Sequence, residues 1–160
     1  MKQAEREQEI NQTYALLHVR ADLLYSFVDV YNDYIYEGRD YDGSGRKIKM
    51  MEVHTLTMIN DTPGTTVSEL AALWRRTKSA VSQNVTQLEK RGFVRREQDK
   101  KNAKTYHLFV TPEGHQLAIT HKQYDIRDIL ETQRSLLQSC SIEEINAFYK
   151  VLESFYRLFE

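Results

Sequence analysis

One cysteine, Cys140, stands in 160 residues, which excludes an internal disulfide and any cysteine-based zinc cluster. No apolar run approaches the roughly 20 residues of a membrane span, and the opening MKQAEREQEINQ has no apolar signal region, so a cytoplasmic protein without membrane contact is expected. There is no His-x-x-x-His, no glycine-rich phosphate loop and no Gly-x-Ser-x-Gly, and the five histidines (18, 54, 107, 115, 121) show no diagnostic spacing. An enzyme, a cofactor and a metal site are therefore not expected, and Cys140, with no basic neighbour to lower its pKa, reads as an incidental thiol. Proline (two) and glycine (six) are scarce, and neither interrupts the chain from Ala4 to Glu37. Length and a 41% apolar content suit one domain with a real core, used in pairs.

What is present is unevenly placed. Residues 75–104 hold ten Lys or Arg against Glu89, Glu97 and Asp99, a net +7, so the rest of the chain is −8 for a total of −1. Such asymmetry is the footprint of a polyanion-binding face, or of a solvated surface whose counter-charges lie elsewhere.

Apolar residues at Ile10, Tyr14, Leu17, Ala21, Leu24, Val28, Tyr31 and Ile35 recur at steps of three and four, which predicts one helix from about Ala4 to Glu37. A second stripe through Leu16, Leu23, Phe27, Val30 and Tyr34 widens its apolar face, and a helix so long in so small a domain wants a partner chain. Glycines 38, 43 and 45 mark a loop, after which Lys47 to Asn60 reads as a second helix ended by Pro63-Gly64. Thr66-Val67-Ser68-Glu69 is a capping box that opens a third helix, buried through Leu70, Ala71 and Leu73 or Trp74. Thr77 caps a fourth helix that Gly92 stops.

In the fourth helix Val81, Val85 and Leu88 must face the core, which turns Ser79, Gln83, Thr86 and Lys90 outward with Ser82 and Gln87 beside them. An exposed face of hydroxyls and amides with few acids suits base edges and phosphates. Phe93–Glu97 and Thr105–Thr111 read as two strands, and the tip between them carries Lys100, Lys101 and Lys104, placed to follow a phosphate backbone or simply to block strand association. Thr111-Pro112 opens a helix to about Ser139, and Ser141-Ile142-Glu143-Glu144 caps a last one with the stripe Ile145, Phe148, Tyr149, Leu152, Phe155, Tyr156 and Phe159. The fold class is mostly α with a small β wing: a winged helix-turn-helix flanked by long N- and C-terminal helices.

Val67-Ser68-Glu69-Leu70-Ala71, Ser79-Ala80-Val81-Ser82, Leu88-Glu89-Lys90-Arg91-Gly92-Phe93-Val94 and Val110-Thr111-Pro112-Glu113-Gly114 stand in ungapped register, and in them the chain resembles the MarR (multiple antibiotic resistance) family of bacterial transcription factors. The resemblance implies a single domain over 1–160, with residues 1–37 and 112–160 as dimerisation helices and 47–111 as the DNA-binding lobe. It implies a homodimer on double-stranded DNA, its recognition helices in successive major grooves of a palindrome, roughly 34 Å apart. Repression relieved by a small-molecule effector is the usual mode. The residues expected at DNA are Arg75, Arg76, Thr77 and Lys78 at the turn, Ser79, Ser82, Gln83, Thr86 and Gln87 on the helix, and Lys100, Lys101 and Lys104 on the wing. Family wings usually carry Asp-Arg where Asn102 and Ala103 stand here, which passes the arginine's role to Lys101 or Lys104. Arg75 occupies a position where glycine is common. A small aromatic or amphipathic effector is expected between the dimerisation helices and the lobe, near Tyr25, Tyr31, Met50, His54 and His115. The alternatives are a metal-sensing regulator of the same fold, through His18, His54, His115 or His121, and a winged-helix scaffold that binds protein.

Overall fold

A computed structural model describes residues 2–159. Its elements are α1 (Lys2–Tyr36), β1 (Gly38–Arg39), β2 (Ile48–Lys49), α2 (Met50–Asp61), α3 (Val67–Leu73), α4 (Lys78–Lys90), β3 (Val94–Gln98), β4 (Tyr106–Val110), α5 (Pro112–Leu136) and α6 (Ile142–Leu158). Among the described residues no helix is long and apolar enough to cross a membrane.

Helix boundaries follow local chemistry. At α3 the Thr66 hydroxyl accepts from Glu69 N at 3.2 Å while the Glu69 carboxylate accepts from Thr66 N at 2.7 Å. Ser141 and Glu144 repeat this reciprocal cap at α6, and single hydroxyl caps from Thr77 and Thr111 start α4 and α5. Gly92 ends α4 at φ +78, a left-handed conformation that costs glycine nothing.

Two readings need correction, and one that the sequence left open is decided. The stretch from Gly38 to Lys49, expected to be a loop running into helix, is a small hairpin: Gly38 pairs with Lys49 and Arg39 with Ile48, so α2 starts at Met50 rather than Lys47. Asp40 closes it by accepting from Gly45 N at 2.7 Å and from Asp42 N and Ser44 N at 3.2 Å, and that satisfaction of loop amides leaves no periodicity to read. In α3 it is Trp74, half-buried at the C-cap, and not Leu73, 60% exposed, that turns inward. Helix α5 ends at Leu136, with Leu137 as its cap.

The core lies in the lobe. Val53, Leu56 and Ile59 of α2 meet Leu70 and Ala71 of α3, Val81, Val85 and Leu88 of α4, Phe93 and Val94 at the wing's first strand, Leu108 of β4, and Leu117 and Ala118 of α5. Tyr41 and Ile48 of the hairpin close one side. The backbone of residues 64–65 brackets the wing, Gly64 N donating to Leu108 O and Leu108 N to Thr65 O at 2.9 and 2.8 Å. At the far end of α1 the Tyr34 hydroxyl donates to Asp128 on α5 at 2.7 Å and the Arg39 guanidinium lies 3.5 Å over its ring.

The long helices are a different matter. Leu17 is 62% exposed on α1, Val28 54%, and Phe148 51% on α6, where Ile145 alone is buried. Apolar faces of this extent mark an interaction surface.

Candidate nucleic-acid interface

The turn between α3 and α4 is set by Arg75, whose φ of +51 explains why glycine suits that position. Arg76 N then donates to Ala71 O at 3.0 Å, closing the turn. Arg75, Arg76, Thr77, Lys78 and Ser79 are all exposed, and they surround the start of α4, where unpaired backbone N–H groups and the helix dipole favour a phosphate. The Thr77 hydroxyl accepts from Ala80 N at 3.2 Å, so its lone pairs serve the cap.

Burial of Val81, Val85 and Leu88 fixes the rotation of α4. Gln83, Gln87 and Lys90 stand exposed, and Ser82 and Thr86 are half-buried at the margin of the same face. Arg96, which reading the sequence registered only as charge, is the residue that joins wing to helix. Its Nη2 donates to Thr86 Oγ1 at 3.1 Å, and its Nε lies 3.2 Å from Glu89 Oε2. Two consequences follow: the one acid on α4 is neutralised internally, and the Thr86 hydroxyl, already accepting, is left to donate.

The wing is a two-stranded antiparallel ribbon, in register from Val94–Val110 to Gln98–Tyr106. Its tip is folded by Asp99, whose Oδ1 accepts from Lys101 N and Asn102 N, both at 2.8 Å, while Oδ2 meets His107 Nε2 at 2.9 Å. His107 Nδ1 contacts Gly64 O at 2.7 Å, so one imidazole braces the tip against the lobe. The Asp99 contact raises the His107 pKa, and the same hydrogen bond, with those from the two amides, lowers that of Asp99. Lys100, Lys101 and Lys104 project exposed from this braced turn. Asp99 and His107 carried no recognisable spacing in the sequence.

The expected effector-pocket residues stand on α1, α2 and α5. Tyr25 and Tyr31 are exposed on α1, Tyr31 stacked between Phe27 and Tyr34 at 5.7 and 5.8 Å. Met50 is half-buried at the start of α2, and His115 is exposed with Nδ1 2.7 Å from Asn60 Oδ1. His54 faces α5, with its Nε2 3.7 Å from Asp125 Oδ2, and its ring stands 5.0 Å from that of His121. Of the four histidines weighed as ligands, only His54 and His121 meet; His18 pairs with Asp22 one turn along α1 at 2.6 Å. Burial first, and then the charge of His54, lower the His121 pKa to about 4, whereas burial raises that of Asp125.

A capped helix, a tight turn, a second helix with a polar outer face and a basic two-stranded ribbon hinged to it define a winged helix-turn-helix protein. Residues 48–106, which run from β2 into the wing, match the model of the MarR family. An uncharacterized HTH-type transcriptional regulator of Bacillus subtilis, YhjH, is 34% identical over 82 residues, 51% of this chain and 47% of that protein. The match thus spans about half the length of this curated relative. Among solved structures, Streptococcus pneumoniae FabT in complex with DNA aligns over 96% of both chains with a TM-score of 0.59 and 22% identity. The zinc-responsive MarR family member ZitR of Lactococcus lactis aligns over 91% of this chain and 99% of its own, with a TM-score of 0.67 and 14% identity. These two likenesses are of fold, and they extend it across the flanking helices.

Proposed function

We propose that the chain is a sequence-specific DNA-binding transcriptional regulator that works as a homodimer on a palindromic operator, as a repressor released by a small-molecule effector. The observation that carries this reading is the outer face of α4: hydroxyls and amides of Ser79, Ser82, Gln83, Thr86 and Gln87, with its only acid paired to Arg96. Gln83, exposed and central, presents an amide suited to the N6/N7 edge of adenine in the major groove. Arg75, Arg76, Thr77, Lys78, Lys100, Lys101 and Lys104 flank it as phosphate contacts, which position the helix without reading sequence. A DNA complex of the similarly folded FabT supports this docking.

The second copy covers the apolar faces of α1 and α6, so that residues 1–37 and 112–160 form the dimer and 47–111 the lobe that reads DNA. A phenolic or amphipathic effector lodging among Tyr25, Tyr31, Met50, His54 and His115 at the joint between them would change the spacing of the two α4 helices. The protein-scaffold alternative calls for an apolar outer face on α4, and Gln83 and Gln87 occupy it instead.

The test is selection of bound duplexes from a random pool, followed by Gln83→Ala on the selected site. A palindromic consensus should emerge, and the substitution should cost about 1–3 kcal/mol on that site and little on random DNA. Equal losses on both would remove Gln83 from base readout, and failure to enrich any sequence would refute the function.

A further inference from the structure

Where α2 packs against α5, three potential ligand atoms converge: one ring nitrogen each of His54 and His121 and one carboxylate oxygen of Asp125 lie within 4.8 Å of one another. His121 and Asp125 are one turn apart on α5, and His121 Nε2 is 3.3 Å from Asp125 Oδ1. Tetrahedral zinc with bonds of about 2.0–2.1 Å holds its ligand atoms roughly 3.3 Å apart, so this pair already has the required spacing. His54 Nε2, 3.7 Å from Asp125 Oδ2 and no more than 4.8 Å from the other ligand atoms, must close by up to about 1.5 Å, and its side chain is 40% exposed.

The state of His121 is the second, independent observation. Its side chain is 2% exposed, yet Nε2 has no hydrogen-bond partner, the approach to Asp125 being misaligned for one. Its other nitrogen is engaged, with Nδ1 3.2 Å from Thr57 Oγ1. The Thr57 hydroxyl donates its proton to Val53 O at 3.0 Å, so toward His121 it accepts, and Nδ1 must carry the hydrogen. That fixes the tautomer with a bare lone pair on Nε2, buried 3.3 Å from Asp125 Oδ1. A backbone-anchored partner holding the distal nitrogen is the usual support of a metal-ligating imidazole. An uncompensated buried acceptor is costly for a protein to keep without use.

We propose that His54, His121 and Asp125 bind a divalent ion of the zinc class at the α2–α5 joint. Two imidazoles and one carboxylate suit a borderline first-row ion, whereas magnesium and calcium prefer all-oxygen sites and monovalent copper prefers sulfur. Asp125 and His54 open to solvent, which leaves the fourth position for water. Loaded, the site ties α2 of the winged lobe to α5, the helix that leads out of it, and the binding itself is independent of any DNA-reading role.

The test uses the full chain, stripped with a chelator and titrated with CoCl2, read by the visible absorption of tetrahedral cobalt, and with ZnCl2 by calorimetry. One equivalent per chain should bind, and MgCl2 should not compete. His54→Ala and Asp125→Asn, both at half-exposed positions, should keep the metal-free circular dichroism and melting of the parent while losing more than about 100-fold in affinity. Thr57→Val, which removes the support but no ligand, should lose about 10–100-fold. His18→Ala should bind as the parent does. Absence of a tetrahedral cobalt spectrum, or an unchanged affinity in folded His54→Ala, overturns the site.

Discussion

Replacing Gly114 with alanine puts a methyl carbon 2.0 Å from the backbone oxygen of Phe93 and 2.8 Å from its carbonyl carbon. Gly114 is buried in the first turn of α5, where that helix crosses the start of β3, and its φ is not left-handed, so space and not conformation demands glycine here. Both obstructing atoms are main-chain, so no side chain can rotate away and the helix must retreat by more than 1 Å, given ordinary contact near 3.5 Å. Retreat breaks what holds the joint: Thr111 N donates to Phe93 O at 2.9 Å, and the Thr111 hydroxyl donates to Gly92 O at 2.7 Å. Overpacking costs about 1–3 kcal/mol, and a lost buried hydrogen bond adds about 1–3. Better helix propensity of alanine returns up to about 1 kcal/mol, leaving a net loss of about 1–6 kcal/mol. For a chain of this size that lowers Tm by about 2–24 °C, measured by circular dichroism at matched protein concentration because self-association of the kind proposed would raise Tm by mass action. An unchanged or higher Tm in Gly114→Ala would show that the joint between wing and α5 is not close-packed as described.

Other outcomes follow from the same geometry. Lys101→Ala and Lys104→Ala should each weaken binding equally on specific and random DNA and reduce the slope of log K against log salt by about 0.9, and an unchanged slope would take the wing off the phosphates. His107, raised by its Asp99 contact, contributes stability that is full below the unfolded imidazole pKa and lost as pH rises through the higher folded value; Asp99, lowered, contributes above the unfolded carboxylate pKa and loses it as pH falls through its depressed value. The wing should therefore be most stable in mildly acidic solution. NMR titration should place His107 above 6.5, with Asp99→Asn moving it back toward that value, and a midpoint below 6.5 in the parent would contradict the brace. In the proposed homodimer Phe155→Glu on the exposed face of α6 would enter the two-fold interface twice, at about 1.5–3 kcal/mol each, and should raise the dimer Kd about 10²–10⁴-fold in sedimentation; an unchanged mass would refute this interface.

How far the sequence discloses this molecule depends on the range of the interactions involved. Caps are local, so Thr66-x-x-Glu69, Thr77, Thr111 and Ser141-x-x-Glu144 were legible, and the structure places each at the helix start that it predicts. Helical periodicity is nearly as local, and Val81, Val85 and Leu88 are buried as their spacing requires. The hairpin of Gly38–Lys49 escaped because two paired residues per strand carry no alternation and its closure depends on side-chain carboxylates accepting loop amides. Between Leu73 and Trp74, which spacing alone left open, Trp74 turns inward because α3 stops at Leu73 and the turn through Arg75 swings the next side chain toward the core.

At the sites the division is sharper. The outer face of α4 was legible because it is the complement of a buried stripe on one helix, and nothing beyond that helix is needed to find it. What completes the face was not: Arg96 reaches Thr86 and Glu89 from another element, and its role depends on the register of the wing against α4. The histidines repeat the pattern. His121 and Asp125, four apart, are visible as a pair on one helix face, and the decisive partners, His54 and Thr57, stand more than sixty positions away on α2. Only packing of α2 on α5 brings them together, and only the hydroxyl of Thr57, committed to Val53, shows which nitrogen of His121 is bare. A ligand set split between two helices has no spacing to recognise; its signature is a buried polar atom left without a partner, which is a property of the fold.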